Sequence, residues 1–385
     1  MPAPDPPLVA SRSLDSGAMP PVTVLILAPA LLPDAGPLER ALDAGRAALA
    51  EHHRRGFLDA GATLAVIRRE PPDDTPFGSR LRRIAGELRP AGLVILGAGS
   101  LPLATPADRR AFVEAAAGMR PTALANHRYS ADATAVARAD LVLPALPETL
   151  ASDNALPRWL EEVAGIPVAD LRARRWLAMD VDSPLDLLLL DGAQGSQAGL
   201  PLPGDTEAEP VRVRLAALRA LAVDPGAELL VAGRMASADL RWLERETRSR
   251  TRALIEERGL RTAAAGALVG RPNRRPARSV LGELLDRDGP GSLGRLVAGL
   301  SDGALLDSRV LLAHRLGADE RAWPPAEDRF ASDLLLPGRI GDPWLAELTA
   351  SALEAEVPIL LGGHGLVGPG ARLALSLALA LADGR

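Results

Sequence analysis

Asp180-Val181-Asp182 is the stretch of this sequence best suited to chemistry. Two aspartates at i and i+2 of a strand project to one side, so both carboxylates can converge on one hard cation, and Mg2+ is the natural occupant. The structural alternative is that Asp182 or Ser183 caps the helix opened by Ser183-Pro184 while Asp180 meets an arginine. A second group is NHRYSADATAV (126–136), where Asn126, His127, Tyr129, Ser130 and Asp132 follow a predicted buried strand. They stand at its C-terminal end, where ligands bind in α/β sheets; a polar turn with Ser130 or Asp132 as N-cap is the plainer account. A third is the glycine-rich run from Gly363 to Gly370, between an apolar strand and an apolar helix. Such a run lets backbone approach an anion closely, with His364 as a polar contact, although neither GxxxxGK[ST] nor GxGxxG is present and a packing turn accounts for it equally. Arg309 and Arg329, with Asp307, Asp328 and Asp333, interrupt apolar runs nearby. Charges in such a setting must be paired or functional, so Arg309, Arg329, Gly363 and His364 form a candidate anion site beside the blander reading of buried Asp–Arg pairs.

The elements that must position these groups read as α/β. From Val22 to Leu190, short apolar runs at 22–28, 62–68, 92–97, 121–125 and 177–181 alternate with helix-length amphipathic stretches at 38–52, 79–88, 106–117, 131–138 and 154–164. This pattern predicts a mostly parallel sheet covered by helices, with Thr105 and Asp153 as N-caps. Residues 191–210 carry four Gly and three Pro and read as an interdomain linker. Beyond them, 211–385 predicts a helix-rich α+β or α/β second domain, with helices at 211–221, 237–258, 279–286 and 343–355 and buried strands at 228–233 and 357–362. The arginines of WLERETRSRTRALIEERG (242–259) read as a solvated, salt-bridged helix face.

Composition narrows the function classes. Hydrophobic residues make up 47% and charged residues 24%, the balance of a globular chain rather than a disordered or fibrous one. A net charge of -5 argues against broad attraction to nucleic acid or anionic membrane. Every one of the 44 basic residues is Arg, and with no Cys there are no disulfides, thiolate nucleophiles or thiolate metal sites. The first 21 residues hold six prolines and read as a disordered leader rather than a signal peptide. The most apolar stretch, 357–382, is broken by Gly362, Gly363, Pro369 and Arg372 before it reaches the ~20 residues of a membrane helix. A cytoplasmic location follows as the expectation.

DVDSPLDL (180–187), preceded by a helix, AGIPV and a strand, is similar to the DVDTPEDL that ends the catalytic domain of a nucleotidyltransferase family. GLVILGAGSLPLATPADRRAFV (92–113) looks like the same family's strand, Leu-Pro-Leu turn and helix. The first half, from about Val22 to Leu190, therefore resembles nucleotidyltransferases of the glycosyltransferase-A-like fold, particularly 2-phospholactate and molybdenum-cofactor guanylyltransferases. The resemblance implies a nucleotide-diphospho-sugar transferase-like sheet and Mg2+-assisted transfer of NMP from NTP to a phosphorylated or sugar-like acceptor. It implies Asp180 and Asp182 as metal ligands, and nucleotide contacts at Leu27, Ala28, Ser100 and Asn126. The sequence departs from the pattern in three places: Ser100 stands where the family has a metal aspartate, Pro29 removes a backbone donor from the first loop, and no Lys can meet a triphosphate, which leaves Arg40 or Arg46. The alternative function is a catalytically degenerate nucleotide- or metabolite-binding protein acting through its second half.

Overall fold

The computed structural model describes residues 20–70, 73–191, 199–257 and 276–382, with side chains to 375. Residues 1–19 of the leader expected at 1–21 and residues 192–198 of the expected linker lie outside the described residues. The chain forms a mixed α/β fold around two sheets. The first has the order β2-β1-β3-β5-β4-β6, from β1 (Val22–Pro29), β2 (Leu64–Glu70), β3 (Gly92–Gly97), β4 (Ala123–Ala125), β5 (Ala133–Val136) and β6 (Val168–Asp170). The second has the order β10-β9-β7-β8, from β7 (Glu228–Gly233), β8 (Arg250–Ile255), β9 (Gly303–Asp307) and β10 (Ile359–Gly362), all parallel.

Strands β1 and β3 are central because their apolar residues run almost without interruption and are covered on both faces, Leu25 pairing with Val66 on one side and Ile95 on the other. Strand β5 runs antiparallel to β3 and β4, so the first sheet is mainly, not wholly, parallel. This overturns the helix expected at 131–138. Ala133-Thr134-Ala135-Val136 is wholly buried between two strands, and that setting overrides the helix propensity of alanine. The segment at 177–181 is not a strand either. Arg175–Ala178 is a helical turn, and only Asp180 bridges to Ser100, antiparallel. Buried Asp108 holds this turn, accepting from Arg174 Nη1 at 2.6 Å and Trp176 Nε1 at 2.8 Å. Asp108 sits in α3 (Pro106–Ala116), whose N-cap is Thr105, as expected.

Helix α1 (Pro37–Asp59) lies between the two halves. Its Leu38, Leu42 and Leu49 join one apolar core with Leu185, Leu187, Leu188 and Leu189 of α4 (Pro184–Asp191) and with the strands of the second sheet. Helix α2 (Phe77–Leu88) covers the first sheet through Leu81 and Ile84. Helices α1 and α4 cross at Gly45, where any β-carbon would stand 2.7 Å from the Leu187 methyl groups. The apolar core therefore does not divide at 191–210, and the last residues of that stretch, with Pro210, already belong to α5 (Asp205–Ala222).

The helix expected over 237–258 is α6 (Ser237–Glu246) followed by β8. Thr247 ends it, its hydroxyl donating to Leu243 O at 2.6 Å, and Arg252 then reaches Glu228 at 2.7 Å across strands instead of forming an i,i+4 pair. Helices α7 (Val280–Asp288), α8 (Ser308–Leu316), α9 (Ala326–Asp333), α10 (Pro343–Glu354) and α11 (Pro369–Ala382) complete the second half. No helix among the described residues is long and apolar enough to cross a membrane.

Candidate functional site

The parallel strands of both sheets turn their C-termini toward one cleft. From the first half come Leu27 and Pro29 at the end of β1, Gly97 to Ser100 at the end of β3 and just beyond, and Asp132 before β5; from the second come Arg234 after β7 and His364 after β10. The cleft holds about 340 Å3, and Asp180, Asp182 and His364 connect it to an adjoining cavity of about 220 Å3 walled by Asp186, Arg309, Arg329 and Gly363. Crevices at strand C-termini are the usual ligand position in α/β sheets.

The loop after β3 is fixed from three directions. Ala98 N donates to Leu27 O at 2.8 Å, Val181 N to Gly99 O at 3.0 Å, and Leu101 N to Met179 O at 3.2 Å. A β-carbon at Gly99 would meet Val181 O at 2.7 Å and Asp180 Oδ1 at 3.3 Å, so only glycine lets Asp180 lie against this loop. Fully buried His53, from α1, donates Nε2–H to Ser100 O at 2.7 Å. Burial first, then the Arg109 guanidinium, holds the imidazole down to about 3, so it stays neutral and this tautomer persists.

Asp180 and Asp182 enter the same cleft beside Ser100, though from a turn rather than a strand. Asp180 accepts from the Val181 amide at 2.9 Å, and exposed Asp182 pairs with Arg46 Nη2 at 3.1 Å while Arg46 Nε donates to Val181 O. Asp186 reaches back over the start of α4 to the amides of Asp182 and Ser183 at 3.0 and 2.8 Å and to the Ser183 hydroxyl. Ser100 is buried and offers no charge.

Asp132, from the polar group expected after the fourth strand, and Asp153, expected only as an N-cap, face the same cleft. Burial first, then Asp182 and Asp132, raises Asp180 well above the ordinary carboxylate range. Burial first, with Asp153 and Asp182 and against the Asn126 hydrogen bond, pushes Asp132 to about 7. Asp153 is raised mainly by burial, and Asp186 reaches about 7 through burial and then Asp182. These are carboxyl groups crowded in a recess with too little positive charge.

The remaining expected contacts are rearranged. Leu27 lines the cleft, but Ala28 faces the apolar layer under the sheet and is unavailable to a nucleotide. Asn126 is buried with its amide committed: Nδ2 donates to Asp132 Oδ2 at 3.0 Å and Leu177 O at 2.9 Å, and Oδ1 accepts from the Asp132 and Ala133 amides. It positions Asp132. Arg309 is locked bidentately onto Asp333 at 2.5 and 2.6 Å, the pairing that buried charge demands. Arg329, Gly363 and His364 line the smaller cavity.

A separate trio, Glu283, Asp286 and His314, has its ligand atoms within 4.8 Å of one another and could hold a metal ion. His314 Nδ1 accepts from Ser279 N at 3.0 Å, so Nε2 carries the proton shared with Asp286 at 3.0 Å, and a metal there competes with that proton.

The raised carboxyls set a pH dependence. An unfolded Asp titrates at about 3.9, so between about 4 and 7 these carboxyls bind more protons in the folded chain and their contribution to stability falls as pH rises, outnumbering the opposite contribution of His52 and His53, which burial holds to about 4 and about 3. Thermal scans should show a lower Tm at pH 8 than at pH 5. A Tm unchanged or higher at pH 8 would show that these carboxyls are not crowded as described. Comparison with known proteins adds no assignment to this site: no family model, no curated protein and no solved structure matches the chain.

Proposed function

We propose that the cleft binds Mg2+ together with a nucleoside triphosphate or a related phosphorylated metabolite, and that the protein is a nucleotidyltransferase built on a glycosyltransferase-A-like first half. The observation that supports this reading is that Asp132, Asp180 and Asp182 line one cleft at the strand ends, with burial raising Asp132 and Asp180 above the ordinary carboxylate range; their oxygens are not all within 4.8 Å of one another, so a cation would have to draw them together. An all-oxygen donor set of this kind fits a hard divalent cation, which would displace those protons. The likeness of 180–187 and 92–113 to the nucleotidyltransferase motifs supports the same reading.

In such a reaction the acceptor oxygen forms a bond to the α-phosphorus as the bond to pyrophosphate breaks, and pyrophosphate leaves. Bound Mg2+ supplies charge stabilisation on the α-phosphate and the leaving group. Asp180 and Asp182 hold the cation, and Asp132, oriented by Asn126, supplies the carboxylate that Ser100 lacks. Arg46 must exchange its contact with Asp182 for the nucleotide. Gly99 keeps the loop low enough for Asp180 to reach the cleft.

A second reading, a degenerate nucleotide- or metabolite-binding protein, is favoured by Ser100 and by the Arg46–Asp182 pair, which already neutralises one ligand. Thermal-shift titration of nucleoside triphosphates with and without Mg2+ tests the site. Ligand at 100 times its Kd stabilises by about 2.7 kcal/mol, so a Mg2+-dependent rise should be plain in the wild type and absent in Asp180→Asn. Nucleotide stabilisation indifferent to both Mg2+ and Asp180 would overturn the metal site. Pyrophosphate release with a panel of phosphorylated acceptors then separates transferase from binder.

A further inference from the structure

We propose that the 220 Å3 cavity is a subsite for the phosphate monoester group of a second substrate, with Arg329 as its cationic contact; this rests on the metal reading of Asp180 and Asp182. The two arginines in the cavity wall are not equivalent. Arg309 spends Nη1 and Nη2 on Asp333 and Ser308, leaving its charge compensated. Arg329 is four-fifths buried, yet its Nε has no hydrogen-bond partner among the described residues, and its ion pair is a loose 3.5 Å contact with half-exposed Glu320. Its guanidinium lies over the Trp323 ring at 5.8 Å, which restricts its orientation. A buried guanidinium with an unused donor is costly unless something anionic completes it.

The opposite wall explains which anion can enter. Asp180, Asp182 and Asp186 face the same space, so a divalent cation that displaces the protons of Asp180 and Asp186 would place positive charge opposite Arg329. A tetrahedral phosphate can then lie between that cation and Arg329, using separate oxygens for each. The cavity volume allows a phosphate carrying a small organic group. Gly363 presents open backbone here, with nothing within 4 Å of the position a β-carbon would take. The second half thus contributes directly to the site, with Arg329 from α9 and Gly363 after β10.

Calorimetric titration of the full chain with inorganic phosphate, with and without saturating Mg2+, tests this. Losing a charge-assisted contact should weaken phosphate binding in Arg329→Gln by about tenfold or more, with Mg2+ affinity in the absence of phosphate unchanged. Glu320→Gln removes the half-exposed carboxylate that competes for Arg329 at the cavity wall and should tighten phosphate several-fold, which keeps the proposal testable should Arg329→Gln fold poorly. Phosphate affinity equal to wild type in both variants would overturn the subsite. Arg329-dependent phosphate binding that ignores Mg2+ would keep the subsite but remove the metal reading on Asp180 and Asp182, so the two ideas fail separately.

Discussion

Asp333→Asn is expected to cost about 3–5 kcal/mol of folding stability, because it leaves a buried guanidinium without its counter-charge. Asp333 is fully buried and Arg309 nearly so, and the pair is bidentate. Although burial opposes the charge on Arg309, the Asp333 carboxylate holds its proton affinity above the ordinary value. The carboxamide keeps the shape but supplies only a dipole. Urea unfolding of the single variant and of the double variant Arg309→Met with Asp333→Leu measures this. The double variant should recover most of the loss, since an apolar pair of similar volume removes both desolvation costs. A single variant that unfolds at the wild-type midpoint would show that the pair carries little of the fold.

A chain ending at Asp191 is expected to show no cooperative unfolding transition at all. Leu38, Leu42, Leu49 and Leu185 to Leu190 are buried in a core whose other members come from the second half. Exposing each such leucine costs roughly 1.5–3 kcal/mol, and several together exceed the 5–15 kcal/mol that holds a typical domain. Urea titration followed by circular dichroism and by dye binding to exposed apolar surface would check this. A fragment of residues 20–191 with a sharp transition and no dye binding would show that the first sheet folds independently.

Much of the fold was legible because some strands leave no other reading. The runs at 22–28, 92–97, 228–233 and 357–362 are short, apolar and bounded by turn residues, and each contains or overlaps a strand. The helices at 106–116 and 343–354 carry a Pro at their first position and a capping residue before it. Strand β9 was hidden because GALLDSRVLLAH reads as one apolar run, whereas Asp307 ends the strand and caps α8. Strands β5 and β8 depend on neighbours brought from elsewhere in the chain, which local propensity cannot express.

The site divides the same way. Asp180 and Asp182 announce themselves by spacing, and the hydrogen bonds from the Ser183 amide and hydroxyl to Asp186 fix the start of the helix that follows them. Asp132 lies far away in sequence, and its meeting with Asp180 is a product of the β4–β5 hairpin, whose second strand carries the helix-like alanine pattern of 131–138. The committed amide of Asn126 was equally unreadable, since its partners Leu177 O and Ala133 N come from two different segments.

Glu327, on α9, accepts from the amides of Leu38 and Glu39, so the first turn of α1 is seated on the other half of the protein. At 1.5 Å per residue, Arg46 lies only about 12 Å along the same rod, with His53 beyond it. A ligand therefore meets a mouth whose width is set before it arrives. Parting the halves to admit it would unseat α1 and tear Arg46 and His53 from the cleft floor. Access that leaves the halves together asks only for side-chain exchange, such as Arg46 leaving Asp182, so the cleft presents a nearly fixed shape to whatever arrives.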